Sequence, residues 1–364
     1  MIDPPAGSRI SNLDHVRAFA ALTVFVFHFS IRVVERPDGA PLDPTLVFFG
    51  QGMTGVSIFM VLSGYLFAKL TEGRRIAYGP FVLRRVVRLA PLLVFVMIVA
   101  PFAYGFDFET AVGDAVLGFV LPTWPNGGWS VAVELHFYLL FPVLVALAGT
   151  RIRTACLIAI AGMILIRAAL LWGDQPLRDL SHYTLVGRAD QFLIGIIVQR
   201  TAGLMRGRHG VAAIATVLLL LGLDFQMLTG RFQVAKPALL VWYPFEGAVY
   251  ALLIAWYDRS FTFADRGLSK AAAAFGRWSY SFYLLHLFFV VPFIALIESR
   301  FGRIPSMDAG MLWAVATLPF FIVVSALGYV VFERPFLTVG GSYLRPAGDA
   351  GSSGQGRVEG RGTV

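Results

Sequence analysis

An arginine and a histidine bracket ten uncharged residues near the start of the chain, in RAFAALTVFVFH, Arg17 to His28. Near neutral pH an imidazole can accept a proton from a hydroxyl or attack a carbonyl carbon. A guanidinium holds phosphate or carboxylate through paired, charge-assisted hydrogen bonds. On a helix, eleven steps of about 100° return both side chains to within roughly 20° of one face, about 16 Å apart along the axis. They cannot bond each other. The spacing fits a long ligand, charged at one end and reactive at the other. It fits equally a snorkelling interfacial arginine and an independently packed core histidine.

Three further segments carry chemistry-capable groups. FVLRRVVRLAP, residues 81–91, places Arg84 and Arg88 at i, i+4 and Arg85 and Arg88 at i, i+3. That cluster suits a polyphosphate, or the basic anchoring of a helix start. GGWSVAVELHFYLLFP, residues 127–142, carries Glu134 and His136 in an apolar run, preceded by Trp129 and Ser130. Glu134 can orient an imidazole, accept from a substrate hydroxyl, or tie two helices together. GRWSYSFYLLHLF, residues 276–288, sets Ser279, Tyr283 and His286 in one polar stripe, which lines a cavity or joins helices. Isolated charges at Arg188, Asp190, Asp224, Glu246 and Glu333 also fall in apolar surroundings; Arg188 and Asp190 are candidate local ion partners, although i, i+2 positions do not face each other well on a helix. In GVSIFMVLSGYLF, residues 55–67, Gly55, Ser57, Ser63 and Gly64 allow close helix approach or a break. His15, His182 and His209 fall in loops or helix edges and receive no role.

The elements that must position these groups are membrane helices. The 364 residues are 57% hydrophobic and only 14% charged, with a mean hydropathy of +0.71. A soluble domain carries roughly 25% charged residues. Continuous apolar runs of about 20 residues match a bilayer core of about 30 Å and do not alternate as barrel strands do. The fold class is therefore all-α, a polytopic transmembrane bundle of about ten spans. They are placed at 15–34, 46–68, 81–104, 129–149, 154–172, 185–200, 211–228, 237–257, 276–297 and 310–332. The segment 109–125, broken by Pro122 and Pro125, is re-entrant or interfacial. The first run reads as a retained span rather than a cleaved signal. Lys and Arg divide roughly three to one in favour of both termini being cytoplasmic. The net charge of +8 thus reflects basic inner loops, and no nucleic-acid partner is expected. Cys156 is the single cysteine, so neither an intrachain disulfide nor a cysteine metal cluster is expected. Residues 1–336 form the transmembrane domain, and 337–364 read as a disordered cytoplasmic tail rich in Gly, Ser and charge.

In order and spacing these segments resemble the acyltransferase-3 family of integral membrane acyltransferases. The matching residues are Arg17 with His28, GVSIFMVLSGY at 55–65, FVLRRVVRLAP at 81–91, WSVAVELHFYLLFP at 129–142, SYSFYLLH at 279–286 and ERPF at 333–336. Together they run from the first span to the last. Many relatives carry Asp where this chain has Ser57, so a carboxylate role there is closed to it. Some relatives carry an additional extracytoplasmic hydrolase-like domain, for which this chain has no room.

The resemblance implies transfer of an acyl group, acetyl by default, from acyl-coenzyme A to a hydroxyl of a sugar, glycolipid or secondary metabolite. The donor acts as a co-substrate; no tightly bound cofactor or metal is expected. His28 is then the catalytic histidine, as general base or as acyl carrier, with Glu134 beside it. Arg17, Arg84, Arg85 and Arg88 hold the donor. Trp129, Ser130, Tyr283 and His286 line the acceptor side. The expected location is the cell membrane, in contact with the lipid bilayer. A polytopic transporter or flippase of a carbohydrate or lipid shares the composition but does not account for the ordered motifs.

Overall fold

The first apolar run, opened by Ser11 and the acidic Asp14, forms helix α1, Ser11–Val33. At 1.5 Å per residue its 23 residues extend about 34 Å, enough to cross a bilayer core. In this computed structural model the described residues are 11–33, 47–172, 182–228, 238–339 and 342–346. Arg9, Arg36, Arg178, Arg231, Lys236, Arg357 and Arg361, all used in the charge count, lie outside them. So does most of the expected tail.

The other helices are α2, Val47–Gly50; α3, Thr54–Thr71; α4, Tyr78–Tyr104; α5, Phe108–Leu117; α6, Gly128–Ala148; and α7, Ile152–Trp172. They continue as α8, Leu185–Gln199; α9, His209–Leu228; α10, Ala238–Ser260; α11, Gly267–Arg277; α12, Ser279–Phe301; and α13, Met307–Gly328. Seven segments among the described residues are long and apolar enough to cross a membrane. One of them, Gly128–Trp172, contains both α6 and α7. The expected spans at 185–200 and 237–257 are helices α8 and α10 but are not among the seven. The 15 residues of α8 make it shorter than a typical span, and α10 carries Glu246, Asp258 and Arg259.

Helix α1 lies at the centre, against α3, α11, α12 and α13. Small residues set the close crossing of α3 and α8. A side chain at Gly64 would put its first carbon 1.9 Å from the Phe192 carbonyl oxygen, and one at Gly195 would lie 2.2 Å from that of Val61. Both positions must be glycine for these backbones to meet, the packing logic of membrane helices. Inner faces bury Phe25, Phe67, Phe81, Phe141, Phe192 and Phe282. Outward positions such as Phe102, Leu147, Trp172 and Leu312 stay uncovered, as lipid-facing residues do.

Two local features close the site region. Helix α5 buries none of its residues, but the chain after it turns inward. Trp124 and Asn126 are buried there, and Asn126 Nδ2 donates to the Leu284 carbonyl at 2.9 Å. Beside the start of α4, strand β1, Arg74–Ile76, pairs antiparallel with β2, Leu344–Pro346, in the register Arg75 to Arg345. Residues 342–346 therefore pack, against the expectation of a tail without contacts. Tyr343 is 2% exposed, and its carbonyl accepts from Ala77 N at 2.9 Å.

Candidate active site

One cavity gathers most of the anticipated groups. It encloses about 830 Å³, its open mouth included, between α1, α3, α4, α6 and α12. Its walls carry Arg17, Arg85, Arg88, Ser130, Glu134 and Tyr283. Three guanidinium groups and the Glu134 carboxylate share this wall.

Each arginine is held differently. Arg17 donates to Asp14 at 2.5 Å, one turn back on α1. Arg88 donates to Oε2 of Glu333 at 3.3 Å, and Ser281 donates to the other carboxylate oxygen at 2.6 Å. Glu333 is fully buried. It reaches inward because the chain runs from α13 into a π-helical turn over Tyr329–Glu333, a widening of the helix that often re-aims a functional side chain. Arg85 is buried in an aromatic box. Its guanidinium carbon lies 4.7 Å from the Phe67 ring centre, 5.6 Å from Phe81 and 5.7 Å from Tyr138. It also donates to the Tyr343 hydroxyl at 3.1 Å. Such faces stabilise a cation without neutralising it. The Nε atoms of Arg85 and Arg88 are buried with no hydrogen-bond partner among the described residues. A buried donor left unmade costs about 1–3 kcal/mol, and an anionic ligand would recover that.

Arg84 does not join this group. The helical arithmetic places it near Arg88, but the cavity wall does not include it, and its guanidinium sits 6.0 Å from the Tyr343 ring. Trp129 does not line this cavity. Its ring packs 5.2 Å from His182 and 5.0 Å from Tyr183, with the Arg188 guanidinium at 5.9 Å.

Glu134 accepts from Ser63 at 2.9 Å and from the Tyr138 hydroxyl. It thereby ties α3 to α6 and faces the arginine cavity. Ser130 donates to the Tyr283 hydroxyl at 2.9 Å, and Tyr283 donates to the Gly127 carbonyl at 3.2 Å. Gly127 has φ of +75°, and a side chain there would meet the Tyr283 oxygen at 2.6 Å. Glycine is required on both counts.

The partner of His28 is His286, whose Nε2 lies 3.0 Å from His28 Nδ1. The two rings stack with centres 5.2 Å apart. His286 is 2% exposed, and His28 is only partly covered. The polar stripe of α12 therefore runs from the cavity to this pair: Ser279 and Tyr283 line the cavity, and the Tyr283 ring is 6.2 Å from that of His286. Arg17 lines the cavity, and His28 does not. The shared face of α1 is thus a cavity wall at Arg17 and a histidine contact at His28.

A second polar network lies between α3, α8 and α10. Asp190 pairs with Arg167 at 2.7 Å, both fully buried, rather than with Arg188. Arg188 donates to Ser57 at 3.0 Å and stacks 4.2 Å over Tyr243. Glu246 accepts from Ser57 at 2.6 Å, from Gln191 at 3.1 Å and from Thr54. Positions i and i+2 point apart on a helix, which explains why Arg188 and Asp190 find different partners. His182, given no role above, receives Arg188 and braces Trp129.

The sequence reading also missed Tyr138 and Tyr343. Each supports Arg85 from a distant part of the chain, and neither lies in a periodic pattern of charge.

Comparison with known proteins agrees with the motif order. The acyltransferase 3 family model, described as an acyltransferase domain, matches residues 10–334. The acyltransferase MdmB of Streptomyces mycarofaciens is 26% identical over 372 aligned positions, covering 91% of this chain and 92% of that one. The O-acetyltransferase OatA of Staphylococcus aureus is 24% identical, covering 81% of this chain and 53% of its own length. The peptidoglycan O-acetyltransferase OatA of Listeria monocytogenes is 27% identical over 162 positions, 36% of this chain and 24% of that one. This chain thus spans nearly the whole of the first relative and about half or less of the other two. No solved structure matches. With the family model running from the start of α1 into the ERPF motif, the chain is a multi-pass membrane acyltransferase and belongs to the acyltransferase-3 family.

Proposed function

We propose that this acyltransferase moves an acyl group, acetyl by default, from acyl-coenzyme A to a hydroxyl on a sugar, glycolipid or small secondary metabolite. The observation that carries the reading is the cavity of Arg17, Arg85 and Arg88, with the His28–His286 pair one helical turn past its Tyr283 wall. The buried, unpartnered Nε atoms of Arg85 and Arg88 suit phosphate oxygens. Both termini face the cytoplasm in this reading, which puts the arginine end of the cavity where the donor is made.

Arg17, Arg85 and Arg88 hold the phosphates, and the neutral arm extends along α12 towards Tyr283. His28 takes the proton of the acceptor hydroxyl as its oxygen bonds to the thioester carbonyl. The carbon–sulfur bond breaks, and the proton passes to the leaving thiolate, giving ester and free thiol. Glu134 holds the cavity wall through Ser63 and Tyr138 rather than orienting His28. The peptidoglycan acceptor named for one relative supports a sugar hydroxyl as the acceptor class.

The test is mass spectrometry of cell glycans and small metabolites with and without the protein, alongside thiol release from acetyl-coenzyme A in membranes. A hydroxyl-linked acyl mass that appears only with the protein, and is lost with membrane-inserted His28→Ala, is expected. Full transfer by His28→Ala overturns the assignment.

A further inference from the structure

Hydrogen-bond polarity along α12 fixes which nitrogen of His28 is free. His286 Nδ1 lies 3.1 Å from the carbonyl oxygen of Phe282, one turn earlier on the same helix. A carbonyl oxygen only accepts, so Nδ1 of His286 carries the proton. A neutral imidazole has a single N–H, which leaves His286 Nε2 as an acceptor. The group facing that acceptor is His28 Nδ1, at 3.0 Å, and it must be the donor. His28 is then protonated at Nδ1, and its Nε2 is a bare lone pair.

We propose that His286 is a positioning residue, part of a one-way relay from the Phe282 carbonyl through His286 to His28, that holds His28 in the Nδ1–H tautomer with Nε2 basic. The inference rests on the reading of His28 as the proton acceptor and says how the protein prepares it. A histidine in this role needs a partner that orients the ring and selects the tautomer. Carboxylates commonly do this, and here a neutral imidazole does.

The surroundings of the pair are aromatic, with Arg32, one turn beyond His28 on α1, as the nearby cation. Phe25 and Phe282 flank His286, with ring centres 6.1 Å and 6.0 Å away, and Phe27 lies 5.5 Å from His28. No carboxylate bonds either histidine among the described residues. When His28 takes the acceptor proton on Nε2, its Nδ1–H bond to His286 becomes charge-assisted and strengthens. The relay thus favours the protonated intermediate over the resting state, which is the condition for rate enhancement. Proton count is conserved: one proton leaves the acceptor hydroxyl, rests on His28, and goes to the thiolate.

The direct test is nitrogen-15 NMR on histidine-labelled wild-type protein in lipid bilayers, with no ligand needed. Only six histidines contribute, and signals missing from His28→Ala identify that ring. The expected spectrum shows His28 protonated at Nδ1 and bare at Nε2, with coupling across the hydrogen bond to His286 Nε2. A proton on His28 Nε2 overturns the proposal, whatever the protein's activity.

Variants supply the functional arm. His286→Phe keeps a flat ring but loses the acceptor. Thiol release from acetyl-coenzyme A, in membranes supplied with host metabolite extract, should fall about 100-fold in kcat, the lower part of the usual general-base contribution. KM for acetyl-coenzyme A should change less than about twofold. His286→Gln offers an acceptor oxygen near the former Nε2 and should restore kcat to within about tenfold of wild type. Equal losses in the two variants, or none in His286→Phe, count against the relay. Should His28→Ala remain fully active while the NMR shows the expected tautomer, the relay exists and the catalytic reading is what fails.

Discussion

Arg88 on α4 and Glu333 at the end of the last membrane helix form an ion pair at 3.3 Å, although 245 positions separate them. The carboxylate is fully buried and its second oxygen is taken by Ser281. The first residue of ERPF is therefore a fastening between three helices, and it aims an arginine into the cavity.

Glu333→Gln keeps the shape and removes the charge. Hydrogen bonds to charged groups contribute about 1.5–3 kcal/mol, so the variant should unfold at lower temperature in detergent. KM for acyl-coenzyme A should rise as Arg88 loses its anchor. An unchanged melting temperature together with an unchanged KM would refute the fastening role.

Neighbouring arginines should behave unequally. Arg85 lines the cavity and sits in the Phe67, Phe81 and Tyr138 box, whereas Arg84 does not line it. Arg85→Lys should raise KM for acyl-coenzyme A about tenfold, equivalent to about 1.4 kcal/mol, because a lysine reproduces neither the fork nor the stacking. Arg84→Lys should stay within about threefold. Steady-state kinetics on the pair of variants decides this, and equal effects would contradict the geometry.

Gly127→Ala tests the turn that brings Ser130 to Tyr283. The left-handed backbone costs a non-glycine residue roughly 1–2 kcal/mol, and the added methyl meets the Tyr283 oxygen. A drop in kcat is expected, with thermal stability lowered by only a few degrees. Wild-type kinetics in this variant would show that the contact is dispensable.

Orientation can be read chemically, because Cys156 is the sole cysteine and can be replaced by Ser. In that background, Arg303→Cys should react with a membrane-impermeant thiol reagent applied outside intact cells. Arg151→Cys should react only after the cells are opened. The reverse pattern would invert the proposed topology.

What the sequence made legible was facial: which residues share a side of a helix. Arg85 with Arg88, and Ser279 with Tyr283, do line one cavity as their spacing implies. Spacing also placed Arg17 and His28 on one face, yet it could not say what each face meets. His28 meets His286, 258 positions away, and Glu134 meets Ser63 and Tyr138 instead. Such partners depend on which helices cross, and crossings such as Gly64 on Phe192 are set by tertiary packing. Periodicity likewise could not find Tyr343, which only precedes a three-residue strand, Leu344–Pro346, with no period to read. The same holds for Arg84, whose neighbourhood is decided by helix rotation against α6 and the C-terminal segment.

The short ladder between β1 and β2 has a consequence for biosynthesis. Arg85 sits near the start of the third long helix, but Tyr343, which backs it, leaves the ribosome only after every one of the helices α1 to α13. The nascent chain can thread α1 to α13 into the bilayer before Arg85 gains this partner. The bracing of Arg85 therefore arrives as a late step of synthesis, and a chain cut short before residue 343 would insert with that guanidinium lacking its Tyr343 partner.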